Sequence, residues 1–94
     1  MATMIVKHKV ADFNKWKSVF DGMKQERAAH GWIAHEVFRD ATDANMVTIV
    51  NKMKSLDQAK AYGSSPKLRE AMQHGGIMGA PEIQFLNDEE VTSY

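Results

Sequence analysis

The chain has no cysteine among its 94 residues. That excludes a disulfide framework, a thiolate nucleophile and a cysteine-based zinc site, and it suits a cytoplasmic protein. Neither sign of charge is in excess, since twelve Lys plus Arg balance twelve Asp plus Glu. No global field therefore draws the protein toward nucleic acid or an anionic membrane. No apolar run approaches the roughly 20 residues of a membrane span. Lys7, His8 and Lys9 fall where a signal peptide needs continuous apolar residues. P-loop, G-x-G-x-x-G and G-x-S-x-G patterns are all missing, so nucleotide binding and triad hydrolysis have no local support and no cofactor is expected. His30 and His35 have no carboxylate cluster beside them, and no metal is expected either. What remains as partner is a small molecule, or a second copy of the chain.

What is present is a change of apolar period along the sequence. Thr3 to Val10 alternates, with Met4, Val6, His8 and Val10 on one face and Ile5, Lys7 and Lys9 on the other. Asp12 then caps a helix on which Phe13, Trp16, Phe20, Met23 and Arg27 recur at three- and four-residue steps up to Gly31. Trp32 to Asp40 returns to period two, and the polar turn 41–45 leads into a third alternating run, Met46 to Met53. Ser55 with Gln58 forms a capping box that opens a short helix. Ser64-Ser65-Pro66 interrupts it and starts another, capped by Ser65 and ending at Gly75-Gly76. A last strand runs from Glu82 to Leu86, followed by an acidic tail.

The order is β-α-β-β-α-β, one domain over residues 1–94 with no linker or repeat to mark a second. Right-handed crossovers then give an α+β, ferredoxin-like fold, a four-stranded antiparallel sheet with its helices on one face. The branched and aromatic set that includes Val6, His8, Val10, Ile33, His35, Val37, Ile49, Asn51, Ile83 and Phe85 is assigned to the helix side. Ile5, Trp32, Phe38, Met46, Val50 and Leu86 are assigned to the open side. An uncovered face this apolar invites a second chain.

Val10-x-Asp12-x3-Trp16-x3-Phe20-Asp21, Val37-Phe38-Arg39, Ser55-Leu56-Asp57-x-Ala59-Lys60 and Ser65-Pro66-x-Leu68-Arg69-x2-Met72 together resemble the dimeric α/β-barrel superfamily. That superfamily includes antibiotic-biosynthesis monooxygenase-like proteins, stress-responsive barrel proteins and polyketide cyclases. The resemblance spans nearly the whole chain and implies a homodimer that pairs its sheets back to back, with a ligand pocket between each sheet and its own helices. It also implies a role for Tyr62, because Ser55-x6-Tyr62-x3-Pro66 is similar to the cyclase stretch in which a tyrosine hydroxyl helps bind substrate. In the cyclases a catalytic histidine follows that proline by two residues; here the position is Leu68.

The candidate catalytic residues are therefore His8, His35 and Tyr62. A histidine among inward residues supplies a base, and Tyr62 supplies a donor for a developing oxyanion. His8 is also readable as a core histidine satisfied by a neighbour, and His35 as a solvated side chain. Asn51 interrupts an apolar face, so it must be paired or face a ligand. Trp16, Phe20, Met23, Asn51, Leu68 and Met72 are the candidate substrate-binding residues, and the five apolar ones could instead fill the pocket themselves. Arg39 has two readings, a clamp for a substrate carboxylate or an ion pair with Asp40 or Asp43. The function expected is cofactor-independent, monooxygenase-like or cyclase-like chemistry on an aromatic or polyketide-like molecule. The alternatives are a non-catalytic binding or stress-responsive protein and a purely structural dimer.

Overall fold

The computed structural model describes residues 1–94. Its elements run β1 (Ala2–Val10), α1 (Phe13–Gly22), α2 (Lys24–Ala29), β2 (Trp32–Arg39), β3 (Met46–Met53), α3 (Leu56–Gly63), α4 (Pro66–His74) and β4 (Ile77–Asn87). The strands form one antiparallel sheet in the order β2-β3-β1-β4. This is the expected α+β, ferredoxin-like arrangement, with β1 and β3 central and β2 and β4 at the edges.

The caps read from the sequence hold. Asp12 accepts from the Lys15 amide, Ser55 from Gln58 and Ser65 from Leu68, each satisfying a first-turn donor that the helix leaves unpaired. The expected single helix from Asp12 to Gly31 is instead broken in two. Gly22 is a poor helix former, and at Met23 the backbone turns (φ −92°, ψ 12°) while its amide bonds back to Phe20 O at 3.1 Å. The guanidinium of Arg27 also donates to Phe20 O, so α2 is tied back onto the end of α1.

Two further corrections concern the strands. Trp32 pairs with Met53, but Ala34 already pairs with Lys52, so Ile33 is an extra residue in a β-bulge. Because strand side chains alternate, that one extra residue puts Trp32 opposite inward-facing Met53, on the helix side, while Ile33 is half exposed. The last strand begins at Ile77, not at Glu82. Ile77 and Met78 pair with Val10 and Lys9, and pairing resumes at Glu82 with Lys7. Gly79-Ala80-Pro81 is thus an outward loop of the edge strand opposite His8, where a proline costs no ladder bond and Gly79 adopts φ +78°.

Beneath the helices lie two small core clusters rather than one. Met4, Met53, Ala59 and Tyr62 form the first; Val10, Trp16, Val47 and Ile49 form the second, and Val6 packs against both. The opposite face carries no helix. Phe38, Met78 and Leu86 stand 48%, 55% and 42% exposed there, beside half-buried Ile5 and Val50. One end of that face is polar: Lys52 Nζ donates to Thr3 Oγ1 at 2.8 Å, and the Thr3 hydroxyl donates to Asp88.

Candidate functional site

Where the two core clusters fail to meet, a cavity of about 60 Å³ opens between sheet and helices. Its floor comes from β1 and β3, its roof from α1, the end of α3, and α4. Trp16, the aromatic centre of one wall, stacks on Phe20 at 5.0 Å and meets His8 edge-on at 5.4 Å. Tyr62 and Trp32 meet edge-on at 5.2 Å in the other wall. His8, Trp16, Phe20, Met23, Asn51, Tyr62, Leu68 and Met72 all line this one cavity. His35 does not.

His35 points to the helix side as expected, but it stands on the edge strand β2, outside the cavity, and its imidazole is exposed. It lies in an outer groove with Asp21, Lys24 and Ile33, edge-on to Phe20 at 5.0 Å. Partial burial and the nearby Arg27 and Lys17 charges lower its pKa. Arg39 serves neither reading given above: its Nε donates to Ala44 O at 2.7 Å and its guanidinium covers the Phe13 ring at 3.9 Å. No group of three or more His, Asp or Glu side chains is placed to hold a metal ion.

The polar atoms of the cavity are the informative ones. Both ring nitrogens of His8, Nε1 of Trp32 and Oδ1 of Asn51 are buried without a hydrogen-bond partner in the protein. Such atoms ordinarily cost ~1–3 kcal/mol each. Asn51 is held in place by its other end, where Nδ2 donates to Met4 O at 3.0 Å, which leaves Oδ1 as a fixed acceptor. Burial lowers the His8 pKa to about 4, so the imidazole is neutral at pH 7. Burial pushes the Tyr62 hydroxyl up, only partly offset by Arg27, and it remains a donor.

Arg27 is the member that sequence reasoning missed. It is 4% exposed, lines the cavity, and stacks its guanidinium over Phe20 at 4.0 Å and Trp32 at 5.3 Å. Burial lowers its pKa, with Tyr62 and the more distant Asp21 pulling the other way. The signal was available: a cation at a position of the Phe13-Trp16-Phe20-Met23 stripe, with Met23 and Gly31 instead of acids four residues away.

No protein-family model matches the chain, and no curated protein matches it by sequence. Solved structures do match it in three dimensions. A proposed antibiotic biosynthesis monooxygenase from Caulobacter crescentus superposes with a TM-score of 0.75 at 21% identity, over 95% of this chain and 90% of that one. SnoaB, a cofactor-independent oxygenase from Streptomyces nogalater, superposes with a TM-score of 0.78 at 14% identity, over 96% of this chain and 94% of that one. A proposed antibiotic biosynthesis monooxygenase from Deinococcus radiodurans gives 0.76 at 12% identity, over 100% and 98% of the two chains. The chain therefore has the ferredoxin-like α+β fold of the antibiotic biosynthesis monooxygenase-like proteins.

Proposed function

We propose that the chain is a cofactor-independent oxygenase acting on a small aromatic hydroxyl compound in the cavity between sheet and helices. The observation that carries this reading is the cavity itself: apolar aromatic walls around fixed, unpartnered polar atoms on His8, Asn51 and Trp32. The likeness to SnoaB, itself a cofactor-independent oxygenase, adds support at the level of the fold.

The chemistry needs no group beyond substrate and dioxygen. A phenol with a hydrogen on its para carbon loses its hydroxyl proton, and the electron-rich ring then adds O2 at that carbon to give a peroxide anion, which takes that proton back. Loss of the para proton and of hydroxide, combined as one water, leaves a quinone: the ring carbon is oxidised, O2 is reduced, and no external reductant enters. In this reading His8 takes the first proton, and the Tyr62 hydroxyl, which lines the same cavity, donates to the oxyanion. Trp16 and Phe20 supply flat surfaces for the ring and keep water from the anion.

Oxygen uptake on a panel of hydroxynaphthalenes, with quinone absorbance followed in parallel, tests this. Turnover is expected, with His8→Ala lowering kcat by roughly 100-fold or more. Wild-type turnover that survives both His8→Ala and Tyr62→Phe would overturn the assignment. A second reading, a binding protein without catalysis, is favoured by Leu68 at the cyclase histidine position and by the low pKa of His8. Saturable binding with no oxygen uptake identifies it.

The cavity is small for such a ligand, since a single water already needs ~10–15 Å³ by this kind of measure. Opening falls to α4, which has no fully buried residue of its own and is held from outside by Glu26, bonded to Ser65 at 3.2 Å and 3.6 Å from Lys67. The uncovered sheet face is proposed as the dimer interface, with Ile5 opposite Val50 at its centre. Sedimentation velocity at micromolar concentration is expected to give twice the chain mass, and Val50→Lys to give the monomer. A wild-type monomer removes the interface.

A further inference from the structure

The cavity has one full charge, and nothing in the protein neutralises it. Arg27 is 4% exposed, and no carboxylate lies within the 4.0 Å that defines the ion pairs of this molecule. The acids of its surroundings are committed elsewhere. Asp21 is bonded to Lys17 at 2.6 Å, and Glu26, its neighbour in sequence, is shared among Ser65, His30 and Lys67. No Asp or Glu lines the cavity at all. What holds the guanidinium is a bond to Phe20 O, the adjacent Tyr62 hydroxyl, and the faces of Phe20 and Trp32, which offset only part of the cost of burying a charge.

A guanidinium has five N–H donors in a planar fork, and the one bond to Phe20 O does not exhaust them. The indole N–H of Trp32, also without a partner, belongs to the same wall, and the Tyr62 hydroxyl is beside the guanidinium. Inside the cavity this wall presents N–H and O–H groups and no carboxylate. Arg27 and Trp32 also line the outer groove, with Asp21, Lys24 and His35, so this wall separates the cavity from that groove.

We propose that Arg27 and the Trp32 N–H form a carboxylate-recognition site, so that the ligand of this cavity is a small aromatic or short-chain organic acid bound as its anion. This rests on the cavity being a ligand site, and it adds a class of ligand that the oxygenase reading alone does not specify. A carboxylate matches the guanidinium fork and supplies the negative charge that the fold withholds. The carboxylate end seats at Arg27 and Trp32, and the apolar remainder lies along Phe20 and Trp16.

Isothermal titration calorimetry with benzoate and butyrate, each against its neutral amide, tests the proposal without requiring turnover. Each acid is expected to bind saturably and roughly ten- to a hundredfold tighter than its amide, the range of a charge-assisted hydrogen-bond pair. Arg27→Gln is expected to abolish the preference, and Trp32→Phe, which keeps the guanidinium, to reduce it by about tenfold with the melting temperature and circular dichroism spectrum as folding controls. Equal affinity for acid and amide, no saturable acid binding in the millimolar range, or a preference that survives in folded Arg27→Gln overturns the site. If Arg27→Gln does not fold, loss or retention of the preference in Trp32→Phe decides. The two readings fail separately: Arg27-dependent acid binding without oxygen uptake removes the oxygenase and leaves the carboxylate site, whereas oxygen uptake on neutral phenols by a protein that binds acid and amide equally does the reverse.

Discussion

Trp16→Ala is expected to lower the unfolding free energy by about 3–5 kcal/mol, the range for truncating a large buried aromatic residue. Native domains of this kind have about 5–15 kcal/mol in all, so the loss takes a large share of the total. The side chain is 4% exposed and belongs to the cluster with Val10, Val47 and Ile49. Besides stacking on Phe20 within α1, it joins that helix to two other parts of the fold: it meets the His8 ring of β1 edge-on, and it lies so close to Gly75 at the end of α4 that a Cβ there would be 3.3 Å from Trp16 Cδ1. With two small clusters instead of one continuous core, few neighbours can collapse into the space left behind. Urea denaturation followed by circular dichroism measures the change. A loss below about 1 kcal/mol, the size of a typical exposed substitution, would mean that the cavity wall is supported from elsewhere.

The second large effect is on the acid side. His8 titrates at about 4 in the folded chain and at 6.5 when unfolded, so between those values the unfolded state binds the extra proton. Stability is therefore fully present above about pH 6.5 and falls as the pH drops toward 4, by up to about 3 kcal/mol in total at ~1.4 kcal/mol per unit. His35 adds a smaller contribution of the same sign. Asp21, Asp40 and Asp88 have lowered pKa values, and their contributions are lost only below the ordinary carboxylate range, outside this window. No acid lines the cavity to hold an imidazolium there. In His8→Leu the slope between pH 6.5 and 4 is expected to flatten to the His35 remainder. Denaturation midpoints at half-unit pH steps check this, and an unchanged slope in the variant would mean that some other group titrates.

The acid slope bears on mechanism as well. A base that titrates near 4 is poorly matched to a phenol, so His8 removes a proton efficiently only where the product anion is stabilised as it forms. The Tyr62 hydroxyl and the Arg27 guanidinium, in the same cavity, are the groups that can do so. If Arg27 and Trp32 hold a ligand carboxylate, the phenolate is left to the Tyr62 hydroxyl and the His8 ring. The dependence of kcat on Tyr62→Phe then reads out which group receives the charge.

Much of this molecule was legible from local sequence. The alternation of Thr3 to Val10 and of Met46 to Met53, the stripe on α1, and the capping serines at 55 and 65 are settled within a few residues of chain, because helix and strand periods and first-turn hydrogen bonds are short-range physics. The β-α-β-β-α-β order followed, and with it the sheet, its helix-covered face and the joint position of His8, Asn51 and Tyr62. What depended on neighbours distant in sequence was not legible. One bulged residue, Ile33, fixed by pairing with β3, decides that Trp32 faces the cavity. His35, on the edge strand β2, lies outside it in the outer groove. The break at Met23 ties α2 back onto α1 and places Arg27, a charge by sequence, inside an apolar wall. Sequence alone determined the fold and most of the cavity's members; the charge at its heart came from tertiary packing, because burial is decided by what a residue meets and not by what it is.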